Sequence, residues 1–228
     1  MSSPGVIILA DGGLAGLVAM MHAREHAAMG HGPVPAVAAC PLTLLAANDS
    51  EGQLRAAAVQ AQCAALGVAL LPAFAPSTPS PPILVQPALA ATTPAPAHQR
   101  AALLLAIAQA ACYAGATRVV WVAQTTEGES IDLDALSLTV DLALAISRVV
   151  TLCASSAQGL SIETPYVDVT DAQLADLALE LDAPVHTCWW WKGPHASDDP
   201  RTKSLASSAQ TRWVRALSEM GWSGAAKG

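Results

Sequence analysis

Short apolar runs alternate with longer stretches of helical period along this chain. Val6–Ala10 (VIILA) is apolar at every position and is followed by glycines, which predicts a short strand buried on both faces. The next stretch, GLAGLVAMMHAREHAAMG, predicts a helix that stops near Gly30. Residues 34–40 (VPAVAAC) form a second strand candidate. A helix over DSEGQLRAAAVQAQCAALG follows, with Asp49 or Ser50 as its cap and Gly67 at its C-terminal end. VALLPAF is a third strand candidate, and residues 75–97, rich in proline, serine and threonine, read as an excursion loop.

The second half continues the alternation. HQRAALLLAIAQAACYAGA predicts a helix, TRVVWVAQ a strand, and DLDALSLTVDLALAISRVVTLCASSA a long helix. LSIETPYVDV contains a short strand, TDAQLADLALELDA opens with Thr170 or Asp171 as a cap, and SLASSAQTRWVRALSEMG is the final helix. Strands and helices alternate without a hairpin signal. The expected fold is α/β: a doubly wound, mainly parallel, Rossmann-like sheet over residues 1–165, with a small C-terminal helical part over residues 166–228. Ligands on such sheets bind beyond the carboxyl ends of the strands, so the turn from Asp11 to Gly16 is the first place to look.

Composition narrows the function classes. Hydrophobic residues make up 53% of the 228 positions and charged residues 13%, enough apolar material for a sizeable core. A net charge of −7 does not suggest a basic groove for nucleic acid. No apolar run reaches the length of a membrane span without glycine, charge or proline, and MSSPG lacks the basic start of a signal peptide. Five scattered cysteines, with no C-x-x-C, read as reduced thiols of a cytoplasmic protein.

The glycine turn, DGGLAG, matches neither G-x-G-x-x-G nor G-x-x-x-x-G-K-[ST]. It resembles the PP-loop S-G-G-x-D-S of ATP pyrophosphatases, through Gly12 and Gly13 with Leu14 at the variable position. Downstream, IETPYVDVTDAQLADLALELDAPVHTCWWWKG resembles the corresponding segment of 7-cyano-7-deazaguanine synthases, on Glu163, Thr164, Pro165, Thr187, Cys188 and Gly193. Arg100 matches the arginine of that family's G-R-N helix. The resemblance covers most of the chain at low identity and implies an adenine-nucleotide α-hydrolase-like fold and a homodimer.

The same comparison exposes losses. The loop hydroxyls and aspartate become Asp11, Ala15 and Gly16, and the helix asparagine becomes Ala101. Of the four zinc cysteines that the resemblance implies, only Cys188 is present; His195, Asp198 and Asp199 follow without a cysteine. Asp11 brings negative charge to a phosphate site. Like charges about 4 Å apart repel by about 1 kcal/mol in water and about 4 kcal/mol at a partly screened surface. Asp11 reads instead as an N-cap that takes the loop's own amides.

Other strings carry weaker chemistry. HAREH fits H-x-x-E-H, so His22 and His26 would share a metal with Glu25 as base; a polar helix face is the plainer reading. If Trp189, Trp190 and Trp191 form an extended segment, they cannot all enter one core, and one meets a ligand, a partner or a second subunit. Glu127, Glu129, Asp132 and Asp134 follow a strand end, where capping and solvation compete with ligand binding. The candidate ligand-binding residues are Arg100, Glu127, Cys188, Trp190 and Lys192; no catalytic residue, metal or cofactor is expected. The expected function is a degenerate, non-catalytic relative that binds a small molecule or protein partner, with no nucleic-acid or membrane role. The alternative is an active ligase using ATP and magnesium to convert a deazapurine carboxylate to an amide or nitrile through an adenylate.

Overall fold

The computed structural model describes residues 5–30, 35–39, 50–71, 97–127, 130–153 and 159–223. The proline-rich segment expected as an excursion loop lies outside them, apart from its end at Ala97. Among the described residues a five-stranded parallel sheet is built from β1 (Val6–Ala10), β2 (Pro35–Ala39), β3 (Ala69–Leu70), β4 (Arg118–Trp121) and β7 (Ser161–Glu163). Their spatial order is β3-β2-β1-β4-β7. Ile8 sits in register with Val37 on one side and Val120 on the other. A small antiparallel pair, β5 (Thr126–Glu127) and β6 (Ser130–Ile131), stands apart from the sheet. It is a hairpin in a segment whose residues carry no hairpin signal, because two residues per strand are too few to show a period.

Among the described residues there are six helices, four between strands, α1 (Leu14–Ala28), α2 (Ser50–Leu66), α3 (Ala97–Tyr113) and α4 (Leu133–Cys153), and two after β7, α5 (Asp171–Glu180) and α6 (Pro200–Glu219). β1 explains why they cover both faces. Val6, Ile8 and Ala10 point into one core with α1, α2, α5 and α6, whereas Ile7 and Leu9 point into a second core with α3 and α4. With period-2 side chains and both faces buried, the strand must be apolar throughout. The C-terminal helices are not a separate layer. Leu174, Ala175, Trp213 and Leu217 pack in the same core as α1.

Local signals fix the helix ends. Gly30 and Gly67 adopt φ +72 and +64 just past α1 and α2, the left-handed closure that glycine allows most readily. Thr170 caps α5 in a reciprocal box with Gln173. Asp132 accepts the Ala135 amide at 3.0 Å at the start of α4, and Asp199, with Pro200 behind it, starts α6 earlier than its apolar period suggests. The α4 helix, at 21 residues, has the length and apolarity of a membrane span. It also carries Asp134, Asp141 and Arg148, and its Ala143, Ile146 and Val150 are buried against the sheet.

Candidate functional site

A cleft of about 820 Å³ opens beyond the carboxyl ends of β1 and β4. From β1 the chain moves to β2 and β3 on one side, then returns to β4 on the other. The two loops therefore diverge, and a crevice between them is a geometric consequence. Asp11, Gly13, Leu14 and Ala15 form one wall, Val122 to Thr125 the other, and Arg55, Arg100, Arg212 and the rings of Trp121, Trp189 and Trp213 close around them.

The glycine turn is occupied by its own aspartate. Asp11 Oδ1 accepts the Gly13 N–H at 2.9 Å, and Asp11 Oδ2 receives Arg55 Nη1 at 3.0 Å. Arg55 also donates to Glu51 Oε1 at 2.9 Å, one helical turn earlier, and lies 4.1 Å from the centre of the Trp189 ring. The Gly12 carbonyl is turned inward, where it accepts the Trp189 N–H at 3.0 Å and Gln62 Nε2 at 3.1 Å. Gly12 has φ +78, and a Cβ there would come within 2.6 Å of the Arg55 carbonyl oxygen. Gly16 lets α1 run tight against β1, where a Cβ would meet the Ala10 methyl at 3.1 Å. Leu14 and Ala15 are buried.

The opposite wall is a second polar cluster. Arg212 grips Asp171 through two bonds of 2.6 and 2.5 Å and donates to the Thr126 carbonyl at 3.0 Å. Gln124 Nε2 lies 3.2 Å from Asp171 Oδ1 and 3.1 Å from the Val169 carbonyl. Arg55 and Arg212 are thus engaged by carboxylates. Arg100, in the first turn of α3, lines the cleft with no ion-pair or hydrogen-bond partner among the described residues. It is the cation left to meet an incoming anion there.

The other candidates are placed elsewhere. Cys188 is buried behind the turn, 3.7 Å from Gln62 Nε2, and burial, with Asp11 adding to it, pushes its thiol pKa far up. Trp190 is fully buried and stacks on Trp213 with ring centres 6.4 Å apart, so a ligand has no access to it. Lys192 is exposed and does not line the cleft. The Glu127 side chain lies outside the described residues. The three tryptophans do not form an extended segment. They sit in a turn between 3₁₀ segments Val185–Thr187 and Gly193–His195. That turn sends Trp189 under Arg55, Trp190 into the core and Trp191 against Trp222 at 5.7 Å. Alternation assumes strand geometry, which the turn replaces; of the three, Trp189 is the one that lines the cleft.

Glu163 also faces away from the cleft. It pairs with Arg118 at 2.6 Å on the outer part of the sheet, and that bond holds its carboxyl below the usual range. His22 Nδ1 lies 3.1 Å from the Tyr166 hydroxyl. No group of three or more His, Cys, Asp or Glu residues poised for a metal occurs among the described residues.

Sequence reasoning misses Arg55, Arg212, Trp121 and Trp213, and from the tryptophan run it selects Trp190 where the cleft holds Trp189. The Glu51–Arg55 spacing on α2 is a visible i,i+4 pair, but nothing local shows that it reaches Asp11. Chemically, the cleft is lined by Arg100, by the hydroxyls of Thr125, Thr139 and Ser208, and by the largely buried rings of Trp121, Trp189 and Trp213, of which Trp189 lies under Arg55 and Trp213 under Trp190 and Arg212. Its lining carboxylate, Asp11, is already held by two donors. No family model matches the chain, and no curated protein matches it.

Proposed function

We propose that this protein is a degenerate relative of the 7-cyano-7-deazaguanine synthases, on an adenine-nucleotide α-hydrolase-like fold, that binds a small planar anion without turning it over. The observation that carries this reading is the double engagement of Asp11 by Gly13 N–H and Arg55. The loop amide that would otherwise grip a phosphate oxygen is saturated by the protein's own carboxylate, and a triphosphate brought there would face that charge. Arg100 supports the choice of an anion, and the cleft's size and the indole rings in its lining support a small, largely apolar body. A carboxylate on a purine-like ring fits both features.

The test is calorimetric titration with magnesium ATP, with inorganic pyrophosphate and with 7-carboxy-7-deazaguanine, each alone. The carboxylate is expected to bind, and the two phosphates to give no binding heat. Arg100→Gln is expected to weaken the carboxylate by about 10- to 100-fold, the worth of one charge-assisted bond. Micromolar binding of ATP with release of pyrophosphate would overturn the proposal in favour of an active ligase.

A further inference from the structure

The wall of the cleft beyond β4 presents hydrogen-bond acceptors, and the network behind it fixes that polarity. Gln124 follows β4, lines the cleft and is half-buried. Its Nε2 lies 3.0 Å from Thr126 Oγ1, 3.1 Å from the Val169 carbonyl and 3.2 Å from Asp171 Oδ1. The last two only accept, and Thr126 Oγ1 spends its own hydrogen on the Val169 carbonyl at 2.7 Å. Turning the amide over would set its oxygen against all three, so the nitrogen is held on that side. What Gln124 has left is its oxygen, Oε1, which no donor among the described residues meets.

The neighbouring groups share this polarity. Thr125 Oγ1 donates to the Val167 carbonyl at 2.7 Å, so its oxygen can only accept from a ligand. A hollow of about 470 Å³ continues the cleft past Gln124 and Thr125 to Ser130 and Asp132. Asp132 adds a carboxylate, one oxygen of which takes the Ala135 amide. Arg212 lines the same hollow. An anion placed there meets Asp132 and a row of lone pairs, and a cation meets the guanidinium. A neutral group carrying N–H or O–H meets neither penalty. We infer that the wall of Gln124 and Thr125 is the specificity side of the cleft, reading a neutral donor edge of the bound molecule, an amino or hydroxyl group, through Gln124 Oε1.

The inference rests on the cleft being a small-molecule site and adds the polarity of the ligand's second edge. A ligand without that donor would leave a half-buried oxygen unpaired, which is how a polar site rejects close analogues. The structural task of Gln124 uses its nitrogen alone. A lysine ammonium would serve the same three acceptors and present no acceptor to the cleft.

Two pairs of neutral probes test this on the full chain by ligand-observed NMR titration. 7-Deazaguanine is set against 7-deazahypoxanthine, which lacks its amino group, and resorcinol against 1,3-dimethoxybenzene, whose hydroxyls are methylated. None carries a carboxylate, so the outcome does not depend on an anion at Arg100. The donor-bearing member of at least one pair is expected to bind about tenfold more tightly, the worth of one hydrogen bond, and the pair that shows it separates amino from hydroxyl recognition. Gln124→Lys keeps a donor for the three acceptors and removes the oxygen, so the ratio within that pair should fall to about one; Gln124→Met should do the same. A loss of packing alone would weaken both members and preserve their ratio. Equal binding within both pairs, no binding by any of the four at millimolar concentration, or a preference that persists in both variants would overturn the inference. Tight binding of 7-carboxy-7-deazaguanine without such a preference would remove this inference and leave the anion site standing.

Discussion

Arg55 Nη1 lies 3.0 Å from Asp11 Oδ2, an ion pair that ties the N-terminal part of α2 to the glycine turn after β1. Both side chains are mostly shielded, at 15% and 23% exposure, so the pair is not a screened surface contact. The Asp11 carboxylate serves the fold by satisfying the Gly13 amide, and the same placement sets its negative charge at the start of α1.

Asp11→Ala should therefore do two things at once. It leaves the Gly13 N–H without its acceptor and Arg55 with Glu51 and the Trp189 ring, for a loss of about 1–3 kcal/mol in stability. It also frees the Gly13 amide and Arg55 Nη1 and removes the negative charge, so inorganic pyrophosphate should begin to bind. Urea midpoints and calorimetric titration read the two effects; a variant as stable as the parent and still blind to pyrophosphate would show that Asp11 does neither.

Two glycines with left-handed backbones should respond very differently to alanine. At Gly12 a Cβ meets the Arg55 carbonyl oxygen at 2.6 Å and the Ala58 Cβ at 2.8 Å, both on a packed helix that cannot yield. At Gly30 nothing lies within 4 Å. Gly30→Ala should cost about 1–2 kcal/mol from backbone strain alone, and Gly12→Ala about 2–4 kcal/mol once overpacking is added. Equal shifts in thermal midpoint would contradict the close contact.

Stability should fall in alkali. Burial pushes the Cys63 thiol up to about 11 from 9.0 and the Tyr166 phenol up to about 12 from 10.0, so the folded state favours their neutral forms. A raised value in the folded protein means the stabilisation is complete below the unfolded value and is lost as pH climbs through the folded one. For Cys63 the window runs from about pH 9 to about 11, with a loss of about 1–3 kcal/mol. Cys63→Val should flatten the decline in urea stability across that window; an unchanged slope would assign it elsewhere.

The tryptophan run should divide by burial. Trp190→Ala removes a fully buried ring stacked on Trp213 and should cost about 3–5 kcal/mol. Trp191→Ala, at a half-buried ring against Trp222, should cost clearly less. Chemical denaturation of the two variants checks this, and a larger loss at Trp191 would contradict the packing described.

Several elements are legible in the residues themselves. VIILA can only be a strand covered on both sides, and it is. Thr170 is one of two candidate caps for α5 and takes that role, Gly30 and Gly67 end their helices, and the turn after β1 lines the cleft. The β5–β6 hairpin is not legible, being too short for a period. The apolar period alone starts α6 too late, although Asp199–Pro200 signals the true start. The Trp189–Trp191 run resists a reading by alternation, since alternation holds only in an extended chain.

Sequence alone determined what depends on neighbours a few residues apart: the periods of strands and helices, the caps, and the presence of an aspartate in a glycine turn. Tertiary structure decided which distant groups meet. Arg55 reaches Asp11 across 44 positions, Arg212 reaches Asp171 across 41, and Arg100 arrives at the cleft without a partner among the described residues. Those meetings follow from the order of strands in the sheet and the docking of helices on it. A side chain's own period says which way it faces, and only the packed fold says what stands there to receive it.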